Sequence, residues 1–202
     1  MSLLSIFISM IRQLFILIFL CLFSRNTFAQ VIAATGENAA ATAWVDSVFK
    51  TLTPDEQIAQ LMVVRLSTIN SNKTVTFYDS LVTELIRQYN IGSICVFQGS
   101  PVKQATIINS LQALAKTPLL VTIDAEWGVG MRMTDSVLPL PKQMMLGAVQ
   151  DSSIAYQYGK IVAAQCKRIG IQVNFAPVVD VNNNPDNPVI NDRSFEIGRA
   201  HV

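Results

Sequence analysis

The stretch Ile123-Asp124-Ala125-Glu126-Trp127-Gly128-Val129-Gly130-Met131-Arg132 ends an apolar run on a carboxylate and returns an arginine eight residues later. Gly128 and Gly130 let the intervening loop fold back over the end of the run. Asp124 could then accept hydrogen bonds from two hydroxyls of a polyhydroxylated ligand such as a sugar, with Arg132 donating to others. Such charge-assisted bonds are the strong, orienting kind. The same spacing also lets Asp124 and Arg132 pair with each other and merely stiffen the loop. A second segment, Phe175-Ala176-Pro177-Val178-Val179-Asp180-Val181, again places a carboxylate, Asp180, at the end of an apolar run. The asparagines at 182–184 and the prolines at 185 and 188 make the next loop turn-rich. Asp180 therefore reads either as a ligand group or as a brace of that loop. Finally, Asn191-Asp192-Arg193-Ser194-Phe195 sets an arginine just beyond the short apolar stretch Val189-Ile190. Its alternative is an ordinary surface arginine.

These groups need elements to hold them. Residues 30–43 are rich in Ala, Thr, Gly and Asn and read as a linker; residues 44–50 read as a short amphipathic helix. Thr53-Pro54-Asp55-Glu56 combines a Thr cap, a Pro at the first helical position and a Glu three residues after the cap. It opens a helix containing Ile58, Leu61 and Met62, before a first strand at 62–66. Residues 75–89 carry Phe77, Leu81, Leu85 and Tyr89 at intervals of four and predict a helix. Strand 93–97, helix 102–115 and strand 119–123 follow. Asp151 caps a long helix with Ile154, Tyr158, Ile161, Val162 and Ile169 on its apolar face, stopped by Gly170. A fourth strand spans 171–179.

Each predicted strand is a near-continuous apolar run, the pattern of a parallel sheet buried on both faces. Alternation with helices gives an α/β fold. No G-x-G-x-x-G follows the first strand, so a dinucleotide site has no support. Polar residues gather instead after several different strands: Asp124 and Glu126, Asp180, then Asp192 and Arg193. That is where a (β/α)8 TIM barrel places its site.

Half of the 202 residues are hydrophobic and 14% are charged, which excludes a disordered chain. A formal charge of +1 gives no electrostatic case for nucleic acid. Mean hydropathy is +0.38, but the excess is local. Residues 14–23 are an unbroken apolar run behind Arg12, followed by Ser24 and a small-residue site at Ala29. This is a secretory signal peptide, residues 1–29, cut after Ala29, with Met10 as a second candidate start. The alternative is an uncleaved anchor at 3–23, interrupted by Arg12 and Gln13. Cys21 follows Phe19 and Leu20, which does not suit a lipoprotein signal. After cleavage an exported, near-neutral chain of 173 residues remains, with no membrane association expected. Its cysteines, Cys95 and Cys166, sit in apolar contexts and read as buried free thiols. No metal cluster, P-loop or nucleophile elbow is present in the sequence, so no cofactor is expected.

Several ordered motifs together resemble glycoside hydrolase family 3, specifically its N-terminal barrel domain. They are Asp124-Ala125-Glu126-Trp127-Gly128 with Arg132, Pro139 with Leu146-Gly147-Ala148, Gly170-Ile171 with Phe175 to Val181, Asn187-Pro188-Val189-Ile190, and Arg193-Ser194-Phe195. The resemblance covers about residues 44–195. It departs at Trp127, which stands where a Gly is common and either stacks on a sugar or packs. The resemblance implies a retaining exo-glycosidase, most similar to β-N-acetylhexosaminidases acting on terminal β-linked N-acetylglucosamine, including cell-wall fragments. β-Glucosidases share that fold. It also implies that Asp124, Arg132 and Arg193 bind the terminal sugar, with a carbohydrate as the partner.

The resemblance assigns no catalytic residue here. Retaining hydrolysis needs a carboxylate nucleophile and an acid/base group. In the family these are an Asp on a later strand end and a His in a loop after a Lys-His-Phe motif, and this chain has no such motif. His201 is the sole histidine, and its setting does not match. A barrel takes about 250 residues, so the expected object is the incomplete N-terminal portion of one. The family continues past Arg-Ser-Phe with a Gly and an acidic-Pro turn. Residues 196–202 look instead like the translation of a sequencing adapter, a non-native tail. The expectation is an inactive fragment of a glycosidase. The rival from another class is a non-catalytic exported sugar-binding module using the same three residues.

Overall fold

The computed structural model describes residues 38–195 except 134, 150 and 185, so the signal and tail assignments lie outside the described residues. The chain divides into two compact units, 1–51 and 52–202. In the first, helix α1 (Ala39–Phe49) starts ahead of residue 44, inside the segment read as linker. Asn38 caps it, its side-chain oxygen accepting from the N–H groups of Ala40 and Ala41 at 3.1 and 3.4 Å. Alanine loses no side-chain entropy in a helix, so the alanines at 39–41 carry the helix back ahead of Trp44.

The second unit opens as the sequence predicts. Thr53 Oγ1 accepts from Glu56 N–H at 3.3 Å, and Thr53 N–H donates to Glu56 Oε2 at 2.8 Å, starting α2 (Pro54–Ala59). This helix is shorter than expected, ending before Leu61 and Met62, and β1 is Val63–Arg65. The next stretch is a correction. Residues 75–77 form a strand, β3 (Val75–Phe77), antiparallel to β2 (Ser67–Ile69), rather than the start of a helix. Val, Thr and Phe favour the pleated surface, and Asn70 Oδ1 accepts from Thr74 N–H at 2.8 Å to close the turn. Helix α3 (Asp79–Tyr89) therefore begins later and buries Val82 and Ile86, while Leu81 and Tyr89 are 50% and 42% exposed. With Phe77 on a strand, Leu85 alone of the four-residue series packs against the core from α3, and Val82 and Ile86 supply the buried face.

Beyond α3 come β4 (Ser93–Val96), α4 (Pro101–Leu114), β5 (Leu120–Ile123), α5 (Gln143–Gly147), α6 (Ser152–Arg168) and β6 (Val173–Asn174). Strands β1-β4-β5-β6 form one parallel sheet in that order, with Ile94 between Val64 and Val121. Helices intervene between successive strands, so the architecture is α/β, as expected of a portion of a (β/α)8 barrel. The centre of the sheet is dry: Ile94, Val96, Val121 and Ile123 have no exposed surface. Burying each such side chain contributes about 1.5–3 kcal/mol.

Three expectations need correcting here. β1 is not buried on both faces; it is an edge of the described sheet, and Val63 is 48% exposed. β6 spans two residues rather than 171–179: Phe175 N–H still donates to Ile123 C=O, but Ala176 N–H turns back to Asn174 C=O, and Pro177 beyond it has no N–H to offer. Helix α6, capped by Asp151 as predicted, buries only Cys166. Ile154 and Ile161 are exposed, and Tyr158 and Val162 line an open cavity of about 670 Å³ shared with Gln143 and Phe195. Cys95 and Cys166 are free and buried, as the sequence suggests. Among the described residues no helix is long and apolar enough to cross a membrane.

Candidate functional site

Strand β5 delivers Asp124 at its C-terminal end, on a backbone held from both sides. Asn174, on the neighbouring β6, accepts from Ala125 N–H and donates to Ala125 C=O, both at 3.0 Å. The chain then turns at Gly128, whose φ of +88° suits glycine, into a single 3-10 turn at Val129–Met131. That turn returns Arg132 to the strand end. Its Nε donates to the Asp124 carbonyl at 2.5 Å and its Nη2 to Asp124 Oδ2 at 2.6 Å. The guanidinium stands over the ring of Phe97, just past the end of β4, at 4.8 Å, and Arg65 at the end of β1 lies 5.3 Å from the same ring. The Asp124 side chain keeps 35% exposure, against 15% for Arg132.

A second pair forms beside the first. Arg193 closes a 3-10 turn (Asn191–Arg193), and its guanidinium grips Glu126, Nε to Oε2 at 2.8 Å and Nη2 to Oε1 at 2.6 Å. Nη1 donates to Val189 C=O at 2.9 Å. Glu126 is buried, its side chain 5% exposed, and Arg193 is 31% exposed. The bonds to Glu126 push the Arg193 pKa above its ordinary value, and the charges of Glu126, Asp124 and Asp180 act in the same direction. Buried Gln143 donates to Glu126 C=O at 2.7 Å; its Oε1 has no partner among the described residues. The Arg193 turn is fixed at its edges. Lys142 Nζ meets Asp192 Oδ2 at 2.6 Å and lies 5.2 Å from the Trp127 ring, and Ser194 Oγ donates to Asp180 C=O at 2.9 Å.

All three sequence-predicted residues therefore come to one end of the sheet, the ends of its parallel strands. Asp124 and Arg132 do pair, yet the pairing uses one carboxylate oxygen and leaves Nη1 of Arg132 without a bond to the described residues. Arg193 is no loose surface arginine. Asp180 acts as a loop brace through its carbonyl. The sequence reading missed the Glu126–Arg193 grip and the roles of Asn174, Gln143 and Phe97. For Glu126 a signal existed: an acid amid an apolar strand end is rarely buried unless paired. The other three depend on which strands become neighbours, which no local pattern records. Asp124 and Glu126 are each tied to an arginine, an arrangement suited to holding a neutral, hydroxyl-rich ligand. Among the described residues no cluster of His, Cys, Asp and Glu could hold a metal ion.

Comparison with known proteins matches residues 53–202 to the Glycosyl hydrolase family 3 N terminal domain. Beta-hexosaminidase A of Pseudoalteromonas piscicida is 37% identical over 126 residues, which cover 56% of this chain and 21% of that protein. A beta-N-acetylglucosaminidase/beta-glucosidase of Cellulomonas fimi is 26% identical over 160 residues, 79% of this chain and 27% of that protein. Among solved structures, a glycoside hydrolase family 3 beta-N-acetylglucosaminidase from Paenibacillus sp. str. FPU-7 superposes with a TM-score of 0.62 at 33% identity. That match covers 72% of this chain and 28% of the other. The chain thus spans about a quarter of the length of these relatives.

Proposed function

The chain belongs to glycosyl hydrolase family 3, and we propose that it supplies the sugar-holding part of a retaining exo-glycosidase acting on terminal β-linked N-acetylglucosamine. The observation that carries this reading is the convergence of Asp124, Arg132 and Arg193 at one end of the parallel sheet, with Asp124 still a third exposed. Asp124 accepts from two sugar hydroxyls, and the two arginines donate to neighbouring oxygens. The names of the relatives support the N-acetylated sugar. The double name of the Cellulomonas relative supports a β-glucoside as the second reading.

The two acids at the strand end are not offered as nucleophile and acid/base. Each is already engaged by an arginine, Asp124 by Arg132 and Glu126 by Arg193. A retaining enzyme sets its two carboxyl groups about 5–5.5 Å apart across the scissile bond; neither of these arginine-held acids is free for that role among the described residues, and the Lys-His-Phe motif the family resemblance implies does not occur in the sequence. The 202 residues therefore bind sugar without turning it over. The leader at 1–29 directs the chain to an exported location, where cell-wall fragments are the carbohydrate partner.

Calorimetric titration of the 202-residue chain with N-acetylglucosamine and with glucose tests the reading. Saturable binding that prefers the N-acetylated sugar and is lost in Asp124→Ala is expected; binding indifferent to that substitution, or none, sinks it. Preference for glucose turns it to the β-glucoside. Release of nitrophenol from an aryl N-acetylglucosaminide by the same chain would overturn the statement that it only binds.

A further inference from the structure

We infer that Glu126 is a positioning residue, one that sets how the Arg193 guanidinium is presented to the ligand; this rests on the reading of Arg193 as a sugar contact. Arginine has five N–H donors in a rigid fork. Three are used here. Nε and one N–H of Nη2 go to the Glu126 carboxylate, and one N–H of Nη1 goes to Val189 C=O. One N–H on each Nη remains without a bond to the described residues, a pair of donors on a guanidinium held at both ends. The rotamer freedom an open arginine loses when it grips a ligand is already lost before the ligand arrives, which is how preorganisation raises affinity.

Glu126 is suited to this and to little else. The residue borders the open cavity beside Gln143, but its side chain is only 5% exposed and both carboxylate oxygens already accept from Arg193. Gln143, itself 1% exposed, donates to its carbonyl at 2.7 Å and fixes the backbone from which the carboxylate projects. The contrast with the neighbouring pair is in the exposure. Asp124 is 35% exposed and can face the ligand beside Arg132, whereas Glu126 acts only through Arg193.

The test compares Glu126→Gln, Glu126→Asp and Arg193→Ala in the 202-residue chain, each checked for cooperative unfolding. N-acetylglucosamine affinity and the exchange rate of the Arg193 Nε–H in 15N NMR are the two readouts. In the native chain that proton exchanges slowly. In Glu126→Gln it exchanges fast, and the sugar binds about tenfold more weakly, the worth of one charge-assisted bond. Glu126→Asp restores the charge and recovers part of both. A folded Glu126→Gln chain that binds sugar as the native chain does, while Arg193→Ala loses binding, overturns the inference and leaves the proposed function intact. An Arg193→Ala chain that still binds normally overturns both. If Glu126→Gln does not fold, Glu126→Asp decides: weaker binding in a folded chain supports the positioning role, and unchanged affinity rejects it.

Discussion

Arg132 stands with its guanidinium carbon 4.8 Å from the centroid of the Phe97 ring while two of its nitrogens hold Asp124. The ring is thus part of how the strand-end carboxylate is held: it offers the arginine an apolar, electron-rich face, and Arg65 flanks the same ring at 5.3 Å. Phe97→Leu keeps the apolar bulk and removes the ring quadrupole. It should lower stability by about 0.5–1 kcal/mol, read as a shift in the urea midpoint at constant slope. An unchanged midpoint would show that the two arginines gain nothing from the ring.

Two glycines should respond in opposite directions to the same added methyl group. At Gly147, at the end of α5, a Cβ would fall 1.7 Å from the carbonyl oxygen of Phe195, so the backbone of the Arg193 loop must move. At Gly159, inside α6, a Cβ meets nothing within 4 Å. Gly147→Ala is expected to destabilise the chain and weaken sugar binding by displacing Arg193. Gly159→Ala should stabilise it by about 0.5–1 kcal/mol, the helix-propensity difference. Thermal melts of the two variants settle this; a harmless Gly147→Ala would mean that the loop does not pack there.

The thiols of Cys95 and Cys166 are 7% and 6% exposed, and burial pushes both pKa values above the ordinary 9.0. An acid whose folded pKa is raised is deprotonated first in the unfolded chain. Its stabilising effect is complete below the unfolded value and fades as pH climbs past it. Stability should therefore fall above about pH 8.5, and a Cys95→Ser, Cys166→Ser chain should fall less steeply over that range. In the native chain at pH 8, a thiol-reactive dye should leave both positions unlabelled until denaturant is added. Rapid labelling of the folded chain would contradict their burial.

What could be read in advance follows a physical divide. Interactions closed within a few residues were legible: the Thr53–Glu56 capping box, the Asp151 cap, and the Asp124 loop returning Arg132. So was the parallel α/β class, because apolar runs such as 93–97 and 119–123 demand cover on both faces. The hairpin of β2 and β3 was not, because Phe77, Leu81, Leu85 and Tyr89 mimic a helical spacing across a strand-to-helix boundary. At the site, the three predicted residues converge, yet the pairing of Glu126 with Arg193 joins positions 67 residues apart. It depends on the turn at 191–193 coming back over β5, a tertiary event that neither segment announces.

Glu56 offers the clearest acid-side test because its carboxylate serves two partners. Lys116 Nζ donates to Oε1 at 2.8 Å and Thr53 N–H to Oε2 at 2.8 Å. The Lys116 bond, then the Thr53 backbone bond, hold its pKa below the ordinary 4.5. A carboxyl group with a depressed folded pKa stabilises the fold above its unfolded value, and that contribution is lost as pH falls through the folded value. The loss should therefore appear below about pH 4.5. Lys116→Met removes the larger cause, so the stability of that variant should decline less between pH 5 and pH 3. Thr53→Ala removes the cap itself and should cost about 1 kcal/mol at pH 7. Parallel acid-titration profiles for the native chain and Lys116→Met would show that the ion pair joining α2 to the loop after α4 adds nothing to the fold.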